Sequence, residues 1–250
     1  MYRIVTKEAL KPTVILYEIE APMVAKKAQP GQFIILRVDE NGERIPITIH
    51  DYDREKGTVT IIVQTVGATT EKLSHKQQGD YLHDFVGPLG KPTETEGKKK
   101  VCVVGGGVGC AIAYPVLKKF HDCGAEVHAV VGFKSKDVVI LEDKFKAVSS
   151  VMKVCTDDGS YGHHGLVTDL CQEQDFDCVM ACGPAPMLKA VTALAEQRGV
   201  PCYVSLEERM ACGIGACLGC AVALNKEDGT QYFGHVCKDG PVFESHRVAW

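Results

Sequence analysis

Val101-Cys-Val-Val-Gly-Gly-Gly-Val-Gly-Cys-Ala111 is the stretch from which the fold can be read. Val101–Val104 is a continuous apolar run, the pattern of a strand buried on both faces, as in a parallel sheet. It ends in a glycine-rich turn, and a helix pattern follows from about Ala111 to His121. The alternation continues downstream. Strands are expected at Glu126–Val131, Val151–Thr156, Asp177–Ala181 and Pro201–Val204. Helices are expected near Glu142–Val148 (entered through Val138–Leu141), at Leu166–Gln172 and at Pro186–Arg198. Strands alternating with helices imply βα units on a parallel sheet, here an α/β domain over residues 98–205.

The glycine turn carries chemistry. Gly105, Gly106, Gly107 and Gly109 lie where a strand ends and a helix begins. Backbone N–H groups and the helix N-terminus can meet a pyrophosphate there. The text is not G-x-G-x-x-G, and a tight turn without ligand is the alternative. A second turn, Cys182-Gly183-Pro184-Ala-Pro-Met187, also follows a strand and opens a helix. In a doubly wound sheet both turns lie at the carboxyl edge, where a dinucleotide, NAD(H) or NADP(H), would lie across them. Lys134 and Lys136 follow the second strand and could meet a 2′-phosphate, so the choice between the two stays open.

Upstream the text changes. Short alternating segments at Thr13–Glu18, Phe33–Val38, Ile45–His50 and Thr58–Gln64 are separated by turn clusters, among them Gln29-Pro-Gly31, Asp39-Glu-Asn-Gly42 and Asp51-Tyr-Asp53. This predicts a small antiparallel barrel over residues 1–97, with Lys91–Lys100 as a charged linker. Thr48 on its strand could meet an isoalloxazine ring, and Gly67, Thr69 and Thr70 a pyrophosphate, particularly if Thr70 caps a helix. Threonines in strands and caps are also common without any ligand.

Residues 206–250 hold the third feature. Cys212, Cys217 and Cys220 have the spacing C-x4-C-x2-C, and Cys237 follows. That is the plant-type ligand spacing of a [2Fe–2S] cluster. Gly213, Gly215 and Gly219 lie between the ligands, where the loop must wrap closely and point N–H groups at sulfur. Zinc, a disulfide pair or buried structural cysteines are the alternatives, although zinc sites usually show short Cys or Cys/His pairs. A cluster of this kind moves one electron at a time, so the chain is expected to carry electrons.

Composition narrows the remainder. The chain has 250 residues, is 45% hydrophobic and 24% charged, and carries a formal net charge of −4. Nothing there calls for nucleic acid or an anionic membrane surface. No run approaches a membrane span, and Met1–Glu8 lacks the apolar core of a signal peptide. Eight of the 12 cysteines lie outside the cluster set, most in apolar contexts as small hydrophobes, which fits a reducing cytoplasm.

With these residues in view, the chain resembles the ferredoxin-reductase-like flavoproteins that end in a [2Fe–2S] domain. Within them it is most similar to the electron-transfer subunit of bacterial NAD-linked (B-type) dihydroorotate dehydrogenase. Val204-Ser-Leu-Glu-Glu-Arg-Met-Ala-Cys-Gly-Ile-Gly-Ala-Cys217 and Cys237-Lys-Asp-Gly-Pro-Val-Phe243 carry the likeness, which covers nearly the whole chain. It implies FAD, a [2Fe–2S] cluster and NAD(H), and a TIM-barrel FMN partner subunit serving pyrimidine biosynthesis. The flavin residues it implies are Arg44, Pro46, Ile47 and Thr48, then Gly67, Thr69 and Thr70. The family's usual motif is Arg-Pro-x-(Ser/Thr); here Ile45 intervenes and the arginine stands one residue earlier. Family members usually have glycine where Thr69 stands.

Glu43-Arg-Ile-Pro-Ile-Thr-Ile49, Gly132-Phe-Lys-Ser-Lys-Asp137 and Asp157-Asp-Gly-Ser-Tyr-Gly162 look equally like a sister group. That group is the small subunit of NADH-dependent ferredoxin:NADP oxidoreductase and of sulfide dehydrogenase, whose partner is a glutamate-synthase-like flavoprotein. There an aspartate often replaces the first cluster cysteine, whereas this chain has Cys212. A reductase for a diffusible ferredoxin and a flavin-free regulatory subunit are further alternatives. No residue is assigned a catalytic role, because the cofactors carry the chemistry. Cys182 could lie near the flavin–nicotinamide stack or be a buried thiol. His163 and His164 read as exposed turn residues, and Lys98–Lys100 as a solvated face.

Overall fold

The computed structural model describes residues 1–171 and 175–250, which form two compact units. The first comprises Met1–Thr93, Glu207–Ala221 and His235–Pro241. Its strands are β1 (Tyr2–Lys11), β2 (Val14–Glu20), β3 (Phe33–Arg37), β4 (Ile45–Thr48), β5 (Asp51–Asp53), β6 (Thr58–Gln64), β7 (Tyr81–Leu82) and β8 (Asp84–Leu89). Two short helices, α1 (Pro22–Lys27) and α2 (Ala68–Ser74), lie between them. A five-stranded sheet in the order β5-β6-β2-β1-β7 and a three-stranded sheet β4-β3-β8 are antiparallel throughout. They share one core, in which Tyr17, Ile19 and Ile61 from the first sheet meet Ile34, Leu36 and Phe85 from the second.

Strand β3 differs from the alternating pattern expected of such a barrel. Phe33, Ile34, Ile35 and Leu36 are all buried. Ile34 and Leu36 point into the core, so Phe33 and Ile35 face the opposite side and need separate cover. Asp51-Tyr-Asp53, expected as a turn, is an edge strand pairing Asp51 with Thr60 and Asp53 with Thr58. Its charged ends suit an edge, so composition alone misreads it. β1 was not expected either, because only Ile4 of its ten residues is buried and bulges break its register.

The second unit comprises Glu94–Leu206, Val222–Gly234 and Val242–Trp250. It contains β9 (Lys100–Gly106), β10 (Glu126–Phe133), β11 (Val151–Thr156), β12 (His163–His164), β13 (Cys178–Cys182) and β14 (Cys202–Ser205). The helices are α3 (Gly109–Asp122), α4 (Glu142–Ala147), α5 (Val167–Leu170) and α6 (Ala185–Gln197). The expected helix over 166–172 is thus seen as α5, and Gln172 lies outside the described residues. The hairpin strands β15 (Ala221–Asn225) and β16 (Gln231–His235) follow, then β17 (Val242–Glu244). The sheet order is β12-β11-β10-β9-β13-β14-β17, parallel except that β17 runs antiparallel to β14.

By contacts, Glu207–Ala221 and His235–Pro241 group with the first unit, and Val222–Gly234 and Val242–Trp250 with the second. Among the described residues no helix is long and apolar enough to cross a membrane.

Candidate functional site

In the second unit the chain winds from β9 out to β10, β11 and β12, then returns to β13 and β14 on the other side of β9. The order reverses between β9 and β13, and the turns after these two strands flank that switch point, where open α/β sheets bind ligands. The two turns are packed tightly together. A Cβ added at Gly109 would lie 2.5 Å from the Cys182 carbonyl oxygen and 2.7 Å from the Gly183 Cα. One at Gly106 would lie 2.5 Å from the Met187 Sδ, and one at Gly183 would meet the Gly106 backbone at 3.1 Å. Gly105 is held likewise against Cys110. Gly107 alone of the four has open space where a Cβ would go, and its φ of +55° favours glycine. Three of the four glycines are thus packing residues, and one, Gly107, borders open space.

The Cys182 thiol lies inside this packing. Its residue is buried beside Cys110, whose own thiol burial pushes up, with Cys182 adding to the shift. It is a buried thiol in this structure. Lys134 is an exposed residue just past the end of β10, and Lys136 is held over the Tyr161 ring at 5.6 Å. His163 and His164 are exposed and pair with β11, with His163 Nε2 3.6 Å from Asp169 Oδ2.

In the first unit, Ile45 and Ile47 pack against the barrel core. Alternation therefore puts Pro46 and Thr48 on the outer face of β4, across from Ile35 and Phe33 of β3. Ile47 is half-buried, with its side chain toward the core. Thr70 is not the N-cap of α2: Gly67 is, and Thr70 is the third helical residue, whose hydroxyl caps from inside the helix. The Thr70 Oγ1 accepts the N–H groups of Val66 at 2.9 Å and Gly67 at 3.0 Å. Those two donors are thereby taken. The N–H groups of the first turn, Ala68 to Thr70, lack intrahelical acceptors. Thr69 Oγ1 instead donates to Glu43 Oε2 at 3.3 Å.

The cover for β3 is the cysteine segment. A Cβ at Gly213 would lie 2.8 Å from both Ile35 Cγ1 and Leu89 Cδ1, and its φ is +74°, so only glycine seats the loop this closely. Pro241 meets the other end, since a Cβ at Gly90 would contact both Phe33 at 2.8 Å and Pro241 at 3.0 Å. The Lys91 N–H donates to the Gly240 carbonyl at 2.7 Å. Cys237 stands in a short helix, α7 (Val236–Asp239), whose first N–H donates to the Cys220 carbonyl at 3.0 Å.

The loop and α7 place the four thiols of Cys212, Cys217, Cys220 and Cys237 in the first unit. Cys220 and Cys237 are buried, whereas Cys212 and Cys217 are partly exposed. Backbone N–H groups point at sulfur: Ile214 and Cys217 each donate to Cys212 at 3.4 Å, and Gly215 donates to Cys237 at 3.1 Å. The Ile214 and Cys217 donors hold the Cys212 thiol at about 6, while burial and the Cys220 contact push Cys237 up to about 12. Among the described residues no three His, Cys, Asp or Glu side chains close on a single-ion site. Four thiols with backbone N–H groups aimed at sulfur suit a [2Fe–2S] cluster, which takes four thiolate ligands. Ile214 and Leu218, in the same loop as the partly exposed Cys212 and Cys217, are 63% and 77% exposed.

Residues 207–249 match the family model of the iron-sulfur cluster binding domain of dihydroorotate dehydrogenase B. The chain is 42% identical over 251 residues to a Thermotoga maritima protein named as a homolog of the dihydroorotate dehydrogenase B (NAD(+)) electron transfer subunit, with 99% of this chain and 87% of that one covered. It is 41% identical over 233 residues to the Shouchella clausii electron transfer subunit, covering 90% and 88%. The chain belongs to the dihydroorotate dehydrogenase B electron transfer subunit family. A solved structure of NADH-dependent reduced ferredoxin-NADP oxidoreductase superposes with a TM-score of 0.92 at 42% identity, covering 100% of this chain and 90% of that one. The chain is thus an electron-transferring oxidoreductase subunit with the ferredoxin-reductase-like fold.

The outer-face position of Pro46 and Thr48 follows from the β4 alternation once its register is known. The hydrogen bond from Arg44 Nε to the Ala211 carbonyl, in the cysteine segment, had no signal in the sequence.

Proposed function

We propose that this chain passes electrons between a nicotinamide nucleotide and a larger catalytic partner subunit, using FAD and one [2Fe–2S] cluster. The observation that carries the reading is the seating of the four-cysteine loop on the outer face of β3, beside the candidate flavin strand β4, in one compact unit. When bound, the flavin links two-electron nicotinamide chemistry to one-electron cluster chemistry. The four thiols hold the cluster, and the N–H groups of Ile214, Gly215 and Cys217 steady its sulfur ligands. Pro46, Thr48 and the first turn of α2 orient the flavin. Gly107 admits the nucleotide pyrophosphate, with Gly106, Gly109, Gly183 and Pro184 setting the distance between the two turns.

The partner we infer is the FMN-containing catalytic subunit of a dihydroorotate dehydrogenase, supported by the names of the relatives and by Cys212 as the first ligand. Exposed Ile214 and Leu218 in the cysteine loop offer it an apolar contact. The second reading is a glutamate-synthase-like partner in an NADH-dependent ferredoxin:NADP oxidoreductase, favoured by the TM-score of 0.92 over the whole chain. Affinity purification from the native host, with mass spectrometry of the partner, tests both. An FMN protein that gives dihydroorotate:NAD+ activity with this chain supports the first. A larger flavoprotein carrying [4Fe–4S] clusters refutes it in favour of the second.

A further inference from the structure

We infer that Arg44 is a positioning residue for the cluster loop and does not serve as a flavin-phosphate ligand; this rests on the reading that the four cysteines hold a [2Fe–2S] cluster. Arg44 precedes β4 by one residue and stands two before Pro46, so the alternation carries it to the outer face, the side on which Gly213 covers Ile35. There its Nε donates to the Ala211 carbonyl at 2.8 Å. That carbonyl belongs to the peptide that also supplies the N of Cys212. The Arg44 Nη1 lies 3.6 Å from Asp84 Oδ2, and the side chain is 35% exposed.

Asp84 is itself fixed. Arg37 Nε donates to the same oxygen at 2.7 Å, and His83 Nδ1 lies 3.0 Å from the other oxygen. Arg37 is anchored in turn through the Glu40 carbonyl at 3.0 Å. A guanidinium reaches the loop carbonyl with one nitrogen and the barrel carboxylate with another, at a fixed angle. A lysine ammonium can reach one or the other but has no such fork. Arg44 therefore does two things to the cluster site. It pins the backbone at the entrance to the first ligand, and it brings a permanent positive charge, paired with Asp84, to the peptide that precedes Cys212. A positive charge near a cluster favours its reduced form, so Arg44 holds the potential up.

The test compares the whole chain, purified without air, as wild type, Arg44→Gln and Arg44→Lys. FAD and iron per chain, the EPR spectrum of the dithionite-reduced cluster, its midpoint potential, and cluster lifetime in a chelator are all measured. We expect Arg44→Gln to keep wild-type FAD content, to give altered g-values and a more negative potential, and to lose its cluster about ten-fold faster, the cost of one charged hydrogen bond. Arg44→Lys should recover the potential but only part of the lifetime. Loss of FAD from Arg44→Gln with an unchanged spectrum, potential and lifetime overturns the proposal and makes Arg44 a flavin ligand. A wild-type protein that holds FAD but never a [2Fe–2S] signal overturns the cluster reading itself.

Discussion

Gly107 and Gly109 lie two residues apart in the same turn, and the structure gives them different tasks. In Gly109→Ala the new methyl lies 2.5 Å from the Cys182 carbonyl oxygen, against the 3.4 Å at which ordinary contact begins. The obstacle is backbone, which cannot rotate away, so the turn after β9 or that after β13 must move by about 1 Å. Overpacking of this kind costs about 1–3 kcal/mol. For a chain of this size that corresponds to a loss of roughly 3–10 °C in Tm. In Gly107→Ala the methyl meets nothing within 4 Å, and the cost is the φ of +55° alone. That is about 1 kcal/mol, or roughly 2–4 °C. The same methyl, however, enters the space from which a pyrophosphate would approach. Thermal melts and NADH and NADPH titrations on both variants should therefore separate. Gly109→Ala loses both stability and affinity, since a shift of about 1 Å in a binding turn can cost 10²-fold. Gly107→Ala keeps most of its stability and loses affinity. Wild-type affinity in Gly107→Ala would refute the cradle assignment, and an unchanged Tm in Gly109→Ala would refute the packing argument.

Cys237→Ser should lose the cluster iron and its visible absorption, whereas Cys123→Ser, at an exposed thiol outside the loop, should retain both; iron analysis of the two proteins decides. Iodoacetamide should label Cys123 rapidly and leave the buried Cys110 and Cys182 unmodified in the folded chain, as peptide mapping will read. Asp177 accepts the N–H groups of Lys99 at 2.5 Å and Lys100 at 3.0 Å, and the Lys100 and Lys99 donors hold its carboxyl below the ordinary 3.8. A depressed folded value means that the contribution is complete above the unfolded value and is lost as pH falls through the folded one. The Tm gap between wild type and Asp177→Asn should accordingly be constant above about pH 5 and close below about pH 4.

The legible parts of this molecule are those whose cause is local. Val101–Val104 announces its strand because both faces are buried, so no pairing partner has to be known. The cysteine spacing is legible because three ligands share one loop. β1 and β5 were opaque, because their strand character comes from neighbours: β2 and β7 flank the first, and β6 holds the second. Thr70 could be placed near a helix start but not at its third position, since only the Val66 and Gly67 N–H bonds settle its register. The Arg44–Ala211 bond joins residues 167 apart, a distance at which no spacing rule operates.

Strand β3 shows how the barrel and the cluster loop depend on one another. Ile34 and Ile35 are adjacent, identical and both fully buried, yet they serve opposite faces: Ile34 fills the barrel core and Ile35 lies under Gly213. Truncating either to alanine removes the same atoms and should cost a similar ~2–5 kcal/mol, depending on how far each site collapses. Their effects on the cluster should differ. The cavity in Ile34→Ala opens among barrel side chains, and the loop keeps its seat. The cavity in Ile35→Ala opens beneath the glycine next to Cys212, so the loop that aims N–H groups at that sulfur loses its floor. We expect equal losses of Tm but a shortened cluster lifetime in chelator only for Ile35→Ala. Equal lifetimes in the two variants would mean that the loop holds its shape without β3, and the apolar outer face of that strand would then require another explanation.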